Sequence, residues 1–218
     1  MDKDDRRKPS LLLPSRRSAL IMAGAAGLMV AKPALGALVA TPVQSAGPFY
    51  PLNKPDDNDA DLTKITGREN HASGVVIDVV GRVFDVRGHV LGGVWVEIWQ
   101  ADAFGAYHHP RDPNSTKADP NFQGYAVVQT SKDGAYRFRT IKPKSYQAGS
   151  ILRTPHIHFH IIQDSASRLV TQMYFPNETL NQNDVLFGGL ESAADRAAAT
   201  ARIINAGSPV QYQYDIVV

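Results

Sequence analysis

The chain has 218 residues, no cysteine and a formal net charge of +2. Without a thiol it can form no disulfide, thiolate metal site or cysteine nucleophile, and its 43% hydrophobic and 20% charged residues are those of a globular protein able to bury a core. The basicity sits in residues 1–36, which carry seven Lys/Arg against three Asp/Glu and leave the remainder at −2, so no nucleic-acid surface is read from the charge.

Taken in order, the chain opens with an atypical segment. Arg16-Arg17 precede an uncharged run from Ser18 to Ala31, and the small residues Ala34, Gly36 and Ala37 follow. The run is too short for a comfortable membrane span, which needs about 20 apolar residues. Its three-part build predicts a cleavable export signal over residues 1–37. The paired arginines after a serine point to the twin-arginine route and a periplasmic destination, with no stable membrane insertion after processing. The aromatic usual two places after the pair is replaced by Ala19.

Residues 38–72 are rich in Pro, Asn and Asp and show no period, which predicts an extended arm. Phe49 and Tyr50 within it are expected to pack on the domain or on a neighbouring subunit. From residue 73 to 218, strand signals recur with turns between them. "VVIDVVGRVFDV", "VWVEIWQA", "YAVVQT", "YRFRTI", "HIHFHII", "RLVTQMYF" and "PVQYQYDIVV" give at least seven strands, with Asp133-Gly134 a hairpin turn. The one helix expected is the alanine-rich stretch 190–206. The prediction is an all-β chain, an antiparallel β-sandwich with a short N-terminal arm and little helix, in a single catalytic domain.

The chemistry concentrates in "LRTPHIHFHII", residues 152–162. Alternate residues of a strand share a face, so His156, His158 and His160 point the same way. Two histidines at i, i+2 can present two nitrogens to one ion. With no sulfur available, the remaining ligands must be O or N. Asp164 and Glu97 could serve, but neither lies at a zinc-protease spacing. The other oxygen donors are tyrosines, and Tyr107 and Tyr146 fall in loops just past strands. A phenol holds its proton to about pH 10, so phenolate ligation at neutral pH calls for a strong Lewis acid such as Fe(III).

At this point several segments, "GPFYP", "GVWVEIWQADAFGAYHHP", "DPNFQGYAVVQTSKDGAYRFRTIKP", "RTPHIHFHI" and "LVTQMYF", resemble in order those of the intradiol ring-cleavage dioxygenases, of the protocatechuate 3,4-dioxygenase type. What the resemblance implies is non-haem Fe(III) held by Tyr107, Tyr146, His156 and His158. It implies cleavage of a catecholic ring by O2 between its two hydroxyl-bearing carbons, giving a cis,cis-muconate-type product. Tyr146 matches the tyrosine that leaves the metal and takes a catechol proton. Arg153 matches an arginine that stabilises charge on the ring. Trp99, Gln172, Gly47, Pro48 and Tyr50 match substrate-pocket positions. Family members commonly form homo- or hetero-oligomers, which makes the arm a candidate to reach a neighbour's pocket.

The sequence departs from the family pattern at two places. Only "QAGSIL" separates Tyr146 from Arg153, and Ala148 stands where a tryptophan is usual; both predict a wider pocket with altered substrate preference. His160, His108 and His109 have no role in the pattern. Two other readings stand beside the enzyme. One is a non-catalytic, transthyretin-like β-sandwich binding module, suggested by "GRVFDVRGHVLGGVWVEIW". The other is a Zn or Fe(II) enzyme using three histidines and a carboxylate.

Overall fold

The computed structural model describes residues 38–218; the expected export signal, 1–37, lies outside the described residues. Eleven strands and two short helices follow the arm. They are β1 (Val76–Phe84), β2 (Trp95–Trp99), β3 (Tyr125–Gln129), β4 (Ala135–Ile141), β5 (Tyr146–Ala148), β6 (Ile151–Arg153), β7 (His156–Gln163), β8 (Ala166–Tyr174), α1 (Val185–Gly188), α2 (Ala193–Ala198), β9 (Arg202–Asn205), β10 (Val210–Gln213) and β11 (Ile216–Val217).

The strands form two sheets and a separate hairpin, β5–β6. The second sheet, in the order β3–β2–β7–β8, is antiparallel throughout. The first is mixed: β4 runs antiparallel to β1, whereas β10 and β11 join its other edge in parallel. The expected all-β sandwich is present, and the C-terminal parallel pairing is what hairpin signals could not anticipate. The single strand expected over 209–218 is broken at Tyr214. There the chain passes so close to Gly81 that a Cβ on that glycine would sit 1.9 Å from the Tyr214 carbonyl oxygen.

Alternation fixes which face of β7 meets the core. Ile157, Phe159 and Ile161 are fully buried and pack with Val79, Phe138, Val96 and Met173 between the sheets. Burying side chains of this size contributes roughly 1.5–3 kcal/mol each. The opposite parity sends His156, His158 and His160 to the outer face. The turn into β8 holds Asp164 (φ 51°) and Ser165 (φ 62°) in the left-handed region, the type I′ geometry of a two-residue hairpin.

The outer face of the second sheet is covered. Residues 38–72 form no strand or helix, only isolated bridges. They cross β8 through Gln44 N–H to Val170 O (2.8 Å) and reach the core at Leu62, which is fully buried. The helix expected over 190–206 is shorter than its alanines suggest. Ser192 caps α2 in a reciprocal box with Asp195. After Ala198 the chain turns away, because residues 199 and 201 bond to the backbone of Tyr174 (2.8 and 2.9 Å). The β-branched Ile203 and Ile204 then pair as β9 with β10.

Candidate metal centre

Register brings the site together. On the outer face of the second sheet, Trp99 lies opposite His158, which lies opposite Gln172; His156 lies opposite Tyr174. Both His156 and His158 are 1% exposed. His156 Nδ1–H donates to Thr154 O (2.6 Å), which leaves its Nε2 a lone-pair donor. That Nε2 faces His158 Nε2 at 3.1 Å. Burial, reinforced by the charge of Arg153, drives the His156 pKa down to about 3. Burial and its two charged or titratable neighbours also push His158 well below the ordinary imidazole range. Burial thus favours the neutral form of both rings, and their Nε2 atoms lie side by side.

Tyr107 comes from the loop between β2 and β3. That loop is knit by its own carboxylates. Asp102 accepts the amides of Phe104, Ala106 and Asp119 (2.8, 2.9 and 2.7 Å), and Asp112 accepts that of Tyr107 (2.6 Å). Tyr107 is 3% exposed, and its buried hydroxyl has no hydrogen-bond partner. Tyr146, expected in a loop, opens the short strand β5. Its ring packs on Tyr107 (5.1 Å, 80°) and His156 (5.6 Å). Burial raises the pKa of both phenols, while Arg153 pulls the other way.

The tight β5–β6 hairpin sets Arg153 directly opposite Tyr146, so their side chains share a face. Arg153 is buried. Its Nε donates to Asp184 Oδ2 (2.8 Å) and its Nη2 to Gln172 Oε1 (2.6 Å). Asp184 was not foreseen. It also caps α1 by accepting the amides of Leu186 and Phe187 (2.9 and 3.0 Å). An aspartate just before an apolar run is a capping signal, but nothing local shows that its second oxygen holds Arg153.

The arm roofs the chain's own site. Gly47 adopts φ +70°, and a Cβ there would lie 3.3 Å from His158 Cε1. Pro48 beside it is exposed. Phe49 packs on Tyr107 (4.9 Å) and Tyr146 (5.9 Å). Tyr50 turns instead to Glu97, donating to Oε2 (2.6 Å). Gln172 ties the roof to the charge system, donating through Nε2 to Ser45 O (3.0 Å). Trp99 stacks on His158 (4.8 Å, 6°) and borders a cleft of about 410 Å³ with Phe49, Tyr107, Phe122 and Tyr125. A larger open concavity of about 870 Å³, near Arg82, Gln129, Arg137 and Asp215, holds none of these groups.

His160 does not complete a triplet. Its ring nitrogens are taken by Glu97 (3.1 Å) and Ser167 Oγ (2.9 Å). His108 Nε2 pairs with Asp119 O (2.9 Å), and His109 Nδ1 accepts the Arg111 amide (3.1 Å). Among the described residues no group of three or more His, Cys, Asp or Glu is arranged to hold a metal, and His160, engaged by Glu97 and Ser167, does not join His156 and His158.

A family model described as "Dioxygenase" matches residues 45–218. The protocatechuate 3,4-dioxygenase beta chain of Burkholderia cepacia is 40% identical over 183 residues, covering 81% of this chain and 75% of that one. The chain belongs to the intradiol ring-cleavage dioxygenase family. Against the solved dioxygenase domain of a carbohydrate-binding fusion from Streptomyces sp. SirexAA-E, this dioxygenase is 30% identical with a TM-score of 0.62, covering 83% of this chain and 98% of that one. Catechol 1,2-dioxygenase 1 of Acinetobacter lwoffii is 30% identical over 69% of this chain, which spans about half (51%) of that relative. The intradiol enzyme class is thereby established, and the non-catalytic binding module is set aside.

Proposed function

We propose that this dioxygenase binds non-haem Fe(III) through Tyr107, Tyr146, His156 and His158, and uses O2 to open a catecholic ring between its hydroxyl-bearing carbons, releasing a cis,cis-muconate-type product. One observation carries the reading: two neutral histidine nitrogens face each other at 3.1 Å beside two buried phenols, one with an unpartnered hydroxyl. The donor set suits a hard trivalent ion, since phenolate oxygen is a hard donor and no thiolate competes.

When bound, ferric iron supplies Lewis acidity that keeps phenols ionised and withdraws electron density from a catecholate ring. The chain's own residues do the rest. Tyr146 Oη, as phenolate, is the base that meets a catechol hydroxyl proton. Arg153, fixed by Asp184 and Gln172, places a positive charge beside Tyr146 without needing to reorganise, which stabilises negative charge growing on the substrate. Gly47, having no side chain, lets the arm lie close against His158, and Phe49 with Trp99 packs on the rings of Tyr107 and His158.

The test is optical. The iron-loaded protein should be red-brown from tyrosinate ligation, and its spectrum should shift when catechol is added without O2. A fully metallated but colourless protein would refute the reading. We also infer that residues 1–37 direct twin-arginine export to the periplasm ahead of the arm, 38–72, and the catalytic domain, 73–218. This rests on the Arg16-Arg17 pair and the uncharged run behind it; Arg16→Lys/Arg17→Lys should retain the chain in the cytoplasm. No described helix is long and apolar enough to cross a membrane. Relatives include beta and alpha chains, which supports assembly into homo- or hetero-oligomers, measurable as native mass.

A further inference from the structure

The Glu97 carboxylate is 2% exposed yet lies outside the proposed ligand set. It sits on β2 one same-face step from Trp99, and opposite His160 on β7, itself one step from His158. Four groups converge on this side chain or its partner ring. Tyr50 Oη donates to Oε2 (2.6 Å), Lys54 Nζ donates to Oε1, and His160 Nδ1 lies 3.1 Å from Oε2; Ser167 holds the far nitrogen of His160. Two of these donors, Tyr50 and Lys54, belong to the arm.

A contiguous stack runs from this cluster to the metal centre. The Tyr50 ring meets Trp99 edge-on (4.8 Å, 83°), and Trp99 lies flat on His158 (4.8 Å, 6°). The same arm places Gly47 against His158 and Phe49 against Tyr107. Holding Tyr50 therefore fixes both the roof over the substrate and the plane of a ligand histidine. A buried carboxylate with several charge-assisted bonds is a strong anchor, and its loss releases both arm donors at once.

We propose that Glu97 is a positioning residue that clamps the N-terminal arm shut over the active site and, through Tyr50 and Trp99, sets the orientation of His158. The inference rests on the reading of His158 as a ligand only for its second half; the clamp itself is independent of the metal.

The experiment compares the full chain with Glu97→Ala, Glu97→Gln and Lys54→Met. Amide hydrogen exchange across residues 44–54 should rise about tenfold in Glu97→Ala, and KM for catechol should rise about tenfold with a smaller change in kcat. Glu97→Gln, which keeps an acceptor for Tyr50, should restore much of both. A purely structural role would lower the melting temperature and leave arm exchange and KM as in the wild type; that result overturns the proposal. Should Glu97→Ala not fold, Lys54→Met, which removes one arm donor to Glu97, carries the same comparison at smaller amplitude. If the wild-type chain does not turn over catechol, the proposed activity fails, whereas arm exchange still decides the clamp.

Discussion

At the scale of single residues, the site depends on buried charges held in fixed pairs. Asp184→Ala should be among the most damaging substitutions, because it leaves the buried Arg153 guanidinium without its counter-charge and uncaps α1. Removing one partner of a buried pair costs about 3–5 kcal/mol, readable by denaturant unfolding; a loss under about 1 kcal/mol would mean the pair is solvated. Asp78, on β1 of the other sheet, offers a separate test. Hydrogen bonds and charge from Arg139, and then Arg137, hold its carboxyl below the usual range against the opposing effect of burial. A lowered folded pKa gives stability that is complete above the unfolded value near pH 4 and is lost as pH falls through the folded one. Asp78→Asn should therefore lose on the order of 1–2 kcal/mol at pH 7 and progressively less below pH 4. Equal losses at both pH values would contradict the assignment. Tyr107, Tyr146, His156 and His158 were expected from the segments that carry the family resemblance, and the fold brings their rings into contact. Glu97 and Asp184 were not: their partners, Tyr50 and Arg153, lie 47 and 31 positions away, and no spacing encodes such approaches.

At the scale of elements, β7 was the most readable strand because a strict period of two separates three apolar residues from three histidines. The alanine-rich segment 190–206 misled for the opposite reason. Helix propensity is a weak preference, and here edge pairing with β10 and the backbone of Tyr174 outweighs it. The β5–β6 hairpin carries the most specific prediction at this scale. Ala148 pairs with Ile151, one step outward from the Tyr146–Arg153 pair, and packs against the aromatic cluster of Tyr107 and Tyr146. Ala148→Trp should fill this edge. It should cut kcat/KM for catechols with bulky substituents by about tenfold or more relative to catechol itself. An unchanged ratio would show that the hairpin does not shape the pocket.

At the scale of the whole molecule, the sandwich was legible from strand count and turn chemistry, whereas its closure was not. Local signals cannot reveal that β1 takes β10 and β11 along one edge, 133 positions apart by the Arg82–Asp215 bond. Gly81→Ala tests that closure. Its Cβ would strike the Tyr214 carbonyl, and the displacement of β11 should lower the melting temperature by several degrees, since about 1 kcal/mol shifts a domain of this size by roughly 2–4 °C. The arm shares in the same seam: Thr41 exchanges bonds with Val217, its amide to O (3.0 Å) and its Oγ1 from the Val217 amide (2.9 Å). A nascent chain on the ribosome consequently has β1 and the arm waiting, half-paired, until residues 210–217 have been synthesised. Such a protein completes its first sheet only once residues 210–217 can reach β1, and any cellular step that acts on it earlier meets an unfinished fold.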